Sequence, residues 1–211
     1  MSTISKILFG IANSLLIPDI VLLIIFFVWA ITLLGATYGI YTTRRRNQRL
    51  FGSIIKELTP DGLAQLKDRI PKKSNSLFTS YLADLLSHPA DEDYSDWLLN
   101  RFETDSAKEI NAARLLTKVG PVLGLMGTLI SMSPALVGLS TGDISGMAYN
   151  MQVVFATTVV GLVISIVGLF TQQVRQRWAA QDANDLDRVA RFYNNHPSAT
   201  DQKTTEEGGM Q

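Results

Sequence analysis

The 211-residue chain contains no cysteine and only two histidines. Without cysteine there are no disulfides, no thiolate metal sites and no cysteine nucleophile. His88 and His196 lie far apart and each precedes a proline, which does not supply the ligand set of a histidine metal centre. Charge of one sign is not in excess either: 19 Lys and Arg balance 19 Asp and Glu, so nothing points to a nucleic-acid partner or an acidic substrate. No phosphate loop, zinc motif or nucleophile triad occurs, and the sequence implies no enzyme activity, catalytic residue, metal or cofactor.

Charge is locally absent from three long stretches. Ile20 to Thr43 and Val119 to Gly142 each run for 24 residues without a charged side chain, and Ile144 to Val174 for 31. A helix of about 20 apolar residues crosses a bilayer, so the expected fold is an all-α integral membrane protein with three transmembrane helices. The first span is too long and unbroken for a cleaved signal segment, and no A-x-A-like site precedes "YTTRRRNQR".

Cations set the orientation. Arg44, Arg45, Arg46 and Arg49 follow the first span, Arg175 and Arg177 follow the third, and only Lys6 among the basic residues falls on the other side. The positive-inside bias places the N-terminus outside and the C-terminus in the cytoplasm, in a cell (cytoplasmic or inner) membrane. The expected segments are an outer N-terminal segment 1–18, spans 19–42, 118–141 and 149–173, a cytoplasmic helical region 43–117, an outer hairpin 142–148, a cytoplasmic helix 174–195 and a disordered tail 196–211.

In the N-terminal segment Ile4, Ile7, Leu8, Ile11 and Leu15 recur at helical spacing. The segment either lies flat in the outer interface before Pro18 or extends the first span. The region between the first two spans also reads as helical. Thr59 is an N-cap with Pro60 at the first helical position, and Leu77, Tyr81, Leu82, Leu85 and Leu86 share a face that ends before His88 and Pro89. The acids of "DEDYSDW" suit the start of a further helix. After the third span, Trp178, Leu186, Val189 and Phe192 form an apolar stripe.

Small residues distinguish the spans. The second carries Gly120, Gly124, Thr128 and Ser131 at steps of four, four and three, with Gly127 beside them; the third carries Thr157, Thr158, Gly161, Ser165 and Gly168. In lipid, close backbone approach and interhelical hydrogen bonds hold helices together. The second and third spans therefore read as a protein-facing pair and the first as lipid-facing. Such a face either only packs or, contributed by several subunits, also encloses a hydroxyl-lined passage. Apart from Lys118 at the inner end of the second, neither span contains a charged residue or histidine, so a titrating group for proton transfer would have to come from another subunit.

"GPVLGLMGTLISM" followed by "FATTVVGLVISIVGLFTQQVRQRW" resembles the MotA/TolQ/ExbB proton channel family, in its three-span ExbB and TolQ branch of biopolymer transport proteins. The resemblance implies a homo-oligomeric, pentameric ring around single-span ExbD- or TolR-like partners that carry a membrane Asp. It implies conversion of ion flow into mechanical work or transport across the envelope. It makes Thr128 and Thr158 pore-facing, with Ser131 and Ser165 along the ion pathway and Gly124, Gly127, Gly161 and Gly168 at close helix contacts. One departure is that Val153, eight positions before Gly161, stands where ExbB-like proteins carry an acid, with Gln152 and Asn150 nearby.

The remaining features have simple readings. Asp143 suits a tight hairpin, and Asp19, after Pro18 at the outer interface, is accounted for by helix-start polarity more simply than by ion binding. Arg44 to Arg49 set topology, although such a run can also bind anionic lipid. Pro121 and Pro134 start or bend the second span. The rival functions are a non-transporting oligomeric scaffold and a self-sufficient small ion channel.

Overall fold

A computed structural model describes residues 3–56, 58–69 and 76–196. Among these, every regular element is helical: α1 (Thr3–Ser14), α2 (Leu16–Lys56), α3 (Pro60–Arg69), α4 (Leu77–Ser87), α5 (Glu92–Thr141) and α6 (Ile144–Asn195). Three of them, α2, α5 and α6, are long and apolar enough to cross a membrane. The tail expected over 196–211 lies, beyond His196, outside the described residues.

Local sequence explains the helix ends. Thr59 Oγ1 accepts a bond from the Gly62 amide at 3.1 Å, with Pro60 at the first position of α3, where a missing N–H costs nothing. Asp91 Oδ1 accepts from the Asp93 amide at 3.0 Å before α5, and α4 stops at Ser87, before His88 and Pro89. Between α5 and α6 the turn is Gly142, at φ 78°, and Asp143, whose Oδ1 accepts from the Gly146 amide at 2.9 Å. The structure thus makes the hairpin shorter than the 142–148 read from composition. Once glycine turns the chain and aspartate caps the next helix, residues 144–148 can be helical.

The chain forms two compact units, one from the residues up to Ala36 with Asn111–Gln173, the other from Thr37–Ile110 with the residues from Val174 onward. In the second, Leu82, Leu85, Leu98, Phe102, Leu186 and Val189 form a buried apolar core with Ile55, Leu63 and Leu66. Tyr81 packs edge-on to Phe102, with ring centroids 5.4 Å apart. Tyr193, beside Phe192 of the predicted stripe, is the residue that turns fully inward, and its hydroxyl donates to the His88 carbonyl at 2.8 Å. Arg44 donates to Asp182 Oδ2 at 2.5 Å and to Gln181 Oε1 at 3.2 Å, and lies 5.7 Å from the Trp178 ring centroid. Burial pushes the Asp182 carboxyl up from its ordinary value, and Arg44 opposes it.

Lys108, donating at 2.8 Å, and the Tyr81 hydroxyl, donating at 2.6 Å, hold the Asp105 carboxyl below the usual carboxylate range. Because that pKa is lowered on folding, its stabilisation is present above the unfolded carboxylate value and is lost as pH falls through the folded one. Asp105→Asn is therefore expected to flatten the acid-side fall of the melting temperature; an unchanged slope would count against it. Phe102→Ala is expected to cost about 3–5 kcal/mol in denaturant unfolding of the detergent-solubilised chain, against less than about 1 kcal/mol for an exposed substitution.

Candidate functional site: a glycine-lined helix junction

In the unit that contains the apolar parts of α5 and α6, the two helices meet through their backbones. From Gly120, steps of four, three and four bring Gly124, Gly127 and Ser131 to one buried face of α5. On α6 the buried face is Thr157, Gly161, Ile164, Gly168 and Thr171. A Cβ added at Gly161 would lie 2.6 Å from the Gly120 carbonyl oxygen and 2.8 Å from Gly124 Cα; one at Gly120 would lie 2.7 Å from the Gly161 oxygen; one at Gly168 would lie 2.6 Å from the Thr117 nitrogen. Backbone cannot move aside as a flexible side chain can, so no larger residue fits at these points.

Pro121 explains a hydrogen bond in this seam. It lies inside α5 and has no N–H, so the Thr117 carbonyl four residues earlier loses its helical donor. Ser165 supplies one from α6, its hydroxyl donating to that oxygen at 3.1 Å. This bond accounts both for the tolerance of proline inside an apolar helix and for the inward turn of Ser165.

Thr128 and Thr158 sit on the shoulders of the seam. At 3.6 residues per turn Thr128 is rotated about 80° from Gly120, whereas Gly127 falls within about 20° of it. Both threonines are half-buried, and their hydroxyls donate within their own helices, Thr128 to Leu125 at 2.7 Å and Thr158 to Val154 at 2.9 Å. Each keeps oxygen lone pairs available. Ser131, by contrast, is fully buried, and its hydroxyl has no partner among the described residues.

The third wall comes from α2, and sequence reasoning missed its key residue. Leu23 and Ala30 pack with Leu116, Leu123 and Ile164, so the first span is not uniformly lipid-facing. Val21, Ile24, Ile25 and Val28 remain exposed on its other side. Asp19 shares the inward face and is fully buried; among the described residues neither carboxylate oxygen has a hydrogen-bond partner. A Cβ at Gly127 would lie 2.9 Å from Asp19 Oδ2 and 2.8 Å from Thr157 Oγ1, so α2, α5 and α6 converge there. Asp19 does stand in the first turn of α2, as helix-start polarity suggests, but it is not an exposed interface residue. The available signal was its spacing: Ala30, the smallest inward residue of α2, lies eleven positions on, close to three whole turns.

The sequence profile of the MotA/TolQ/ExbB proton channel family matches residues 74–188, more than half of the chain. The chain belongs to that family. No curated protein and no solved structure matches it. As a MotA/TolQ/ExbB member with three helices of spanning length and composition, it is a multi-pass membrane protein and a subunit of the proton-channel class rather than of a known enzyme class. The matched region contains the whole α5–α6 seam, while α1 and α2, with Asp19, fall outside it.

Gly161→Ala is expected to cost about 1–3 kcal/mol through overpacking, read as a lowered melting temperature of the purified chain. Gly35→Ala, where nothing lies within 4 Å of the added methyl, is expected to be neutral or to gain up to about 1 kcal/mol of helix propensity. Equal melting temperatures for the two variants would contradict the seam.

Proposed function

We propose that the chain is the channel-forming subunit of a proton-driven membrane motor or energiser. It forms a pentameric ring in the cytoplasmic membrane, with its N-terminus outside and its C-terminus inside. In its centre stand single-span ExbD- or TolR-like partners, each with a membrane Asp. Family membership carries the channel class, and the one structural observation that favours the finer reading is the position of Thr128 and Thr158. Both lie beside the backbone seam, so their hydroxyls can serve an adjoining helix without loss of the α5–α6 contact. Exposed apolar residues outside the seam, including Leu125, Leu129, Phe155 and Ile166, suit lipid and neighbouring copies.

On this reading the threonines handle a partner carboxyl in both of its states. A protonated carboxyl donates to a threonine oxygen. After it loses its proton, rotation of the threonine hydroxyl away from its own helix carbonyl lets it donate to the carboxylate. Neutral groups suit this task, because a fixed charge within the span would be costly to bury. Gly124, Gly127, Gly161 and Gly168 keep the paired wall thin and rigid, while Ser165 secures the proline turn. Ion flow then turns or shifts the partner against the ring and performs work at the envelope.

The test is proton flux into liposomes that contain the chain and the single-span subunit with which it copurifies. Thr128→Val with Thr158→Val is expected to lower flux about tenfold, which corresponds to about 1.4 kcal/mol on the barrier, with melting temperature retained. Unchanged flux would favour an oligomeric scaffold. Full conduction by the chain alone would favour a self-sufficient channel.

A further inference from the structure

Between Lys6 and Arg44 the chain contains one charged residue, Asp19, and the fold buries it completely. Its surroundings are unusual for a carboxylate. Gly127 offers no side chain, and Thr157 spends its hydroxyl proton on its own helix, at 3.0 Å from the Val153 oxygen and 3.1 Å from that of Val154. Among the described residues no donor reaches either Asp19 oxygen. The charge-free stretches of α5 and α6 hold no carboxylate, lysine, arginine or histidine, and their tyrosine, Tyr149, lies eight residues before Thr157 and is exposed; Lys6 is the only charged residue of α1, and its side chain lies outside the described residues.

The carboxyl is also set well back from the hairpin. Along α5 from Gly127 to Thr141, and along α6 from Ile144 to Thr157, about 20 Å of helix lies between them at 1.5 Å per residue. A charged carboxylate without a donor or counter-ion is among the costliest groups to place in a protein interior, whereas the neutral acid is tolerated. If position 19 were a packing position only, an apolar residue would fill it at no such cost.

We propose that Asp19 is a proton-binding site carried by this chain itself, a membrane carboxyl that is neutral at rest and exchanges its proton at the Gly127–Thr157 junction. It is separate from the shoulder hydroxyls of Thr128 and Thr158. It supplies a carboxyl from α2, while the charge-free stretches 119–142 of α5 and 144–174 of α6 hold no carboxylate, lysine, arginine or histidine. That the exchanged proton belongs to the conducted current rests on the channel reading; that Asp19 is a neutral, exchangeable acid does not.

Infrared spectroscopy of the full chain in liposomes at neutral pH tests it. The expected result is a protonated-carboxyl carbonyl band that shifts down in D2O, is lost in Asp19→Asn, and moves when the side-chain carboxyls of aspartate carry 13C. Gly127→Ala keeps the acid but crowds its oxygen, so the band should persist at a changed frequency; this variant keeps the test decisive if Asp19→Asn does not fold. The proposal is overturned if no such band belongs to Asp19 or if the band fails to shift in D2O. Loss of the band when Na+ is added at constant pH would overturn it in favour of a sodium site. Failure of the threonine pair to affect flux would remove the channel reading and leave this band as it stands.

Discussion

Apolar burial, which assembles water-soluble proteins, does little for helices in lipid, since the acyl chains are as apolar as leucine. What remains is close contact between backbones, which needs positions where Cβ is absent. The Gly120, Gly124, Gly161 and Gly168 contacts meet that need, and other features of the membrane unit follow from them. The approach they permit brings Ser165 within bonding distance of the carbonyl released by Pro121. It also turns Thr128 and Thr158 onto the shoulders of the pair and leaves at Gly127 a gap into which α2 inserts Asp19.

The other unit is built on different physics. Its core of Leu82, Leu98, Phe102, Leu186 and Val189 is that of an ordinary helical domain, and its surface is rich in charge. Most of its helix boundaries were legible because capping chemistry is local: Thr59 with Pro60, Asp91, and His88 with Pro89 each act within a few residues. Arg44 shows where that legibility ends. Its place after an apolar span explains its sign through topology, yet its bonds to Gln181 and Asp182 join positions more than a hundred residues apart.

In the candidate site the glycines and hydroxyls were visible as a pattern, but pattern alone set the face one residue off. Steps of four, four and three put Thr128 in line with Gly120, whereas the packed face runs through Gly127. A stripe of small residues about 80° wide admits both choices at 3.6 residues per turn, and only the partner helix selects between them. The hairpin differed for a similar reason. Composition marks a polar turn without showing that two residues suffice when one adopts positive φ and the next caps a helix.

By itself the sequence determined that the chain is helical, that three segments can span a bilayer, and that two of them are suited to close pairing. These follow from the length of charge-free runs and from residue size, which act locally. Tertiary structure decided which small residues touch, that Ser165 repairs the backbone defect left by Pro121, and that Asp19 is buried rather than at a surface. The burial of a side chain depends on elements distant in sequence. An aspartate in the first turn of a helix looks the same in either setting until the helices that cover it are in place.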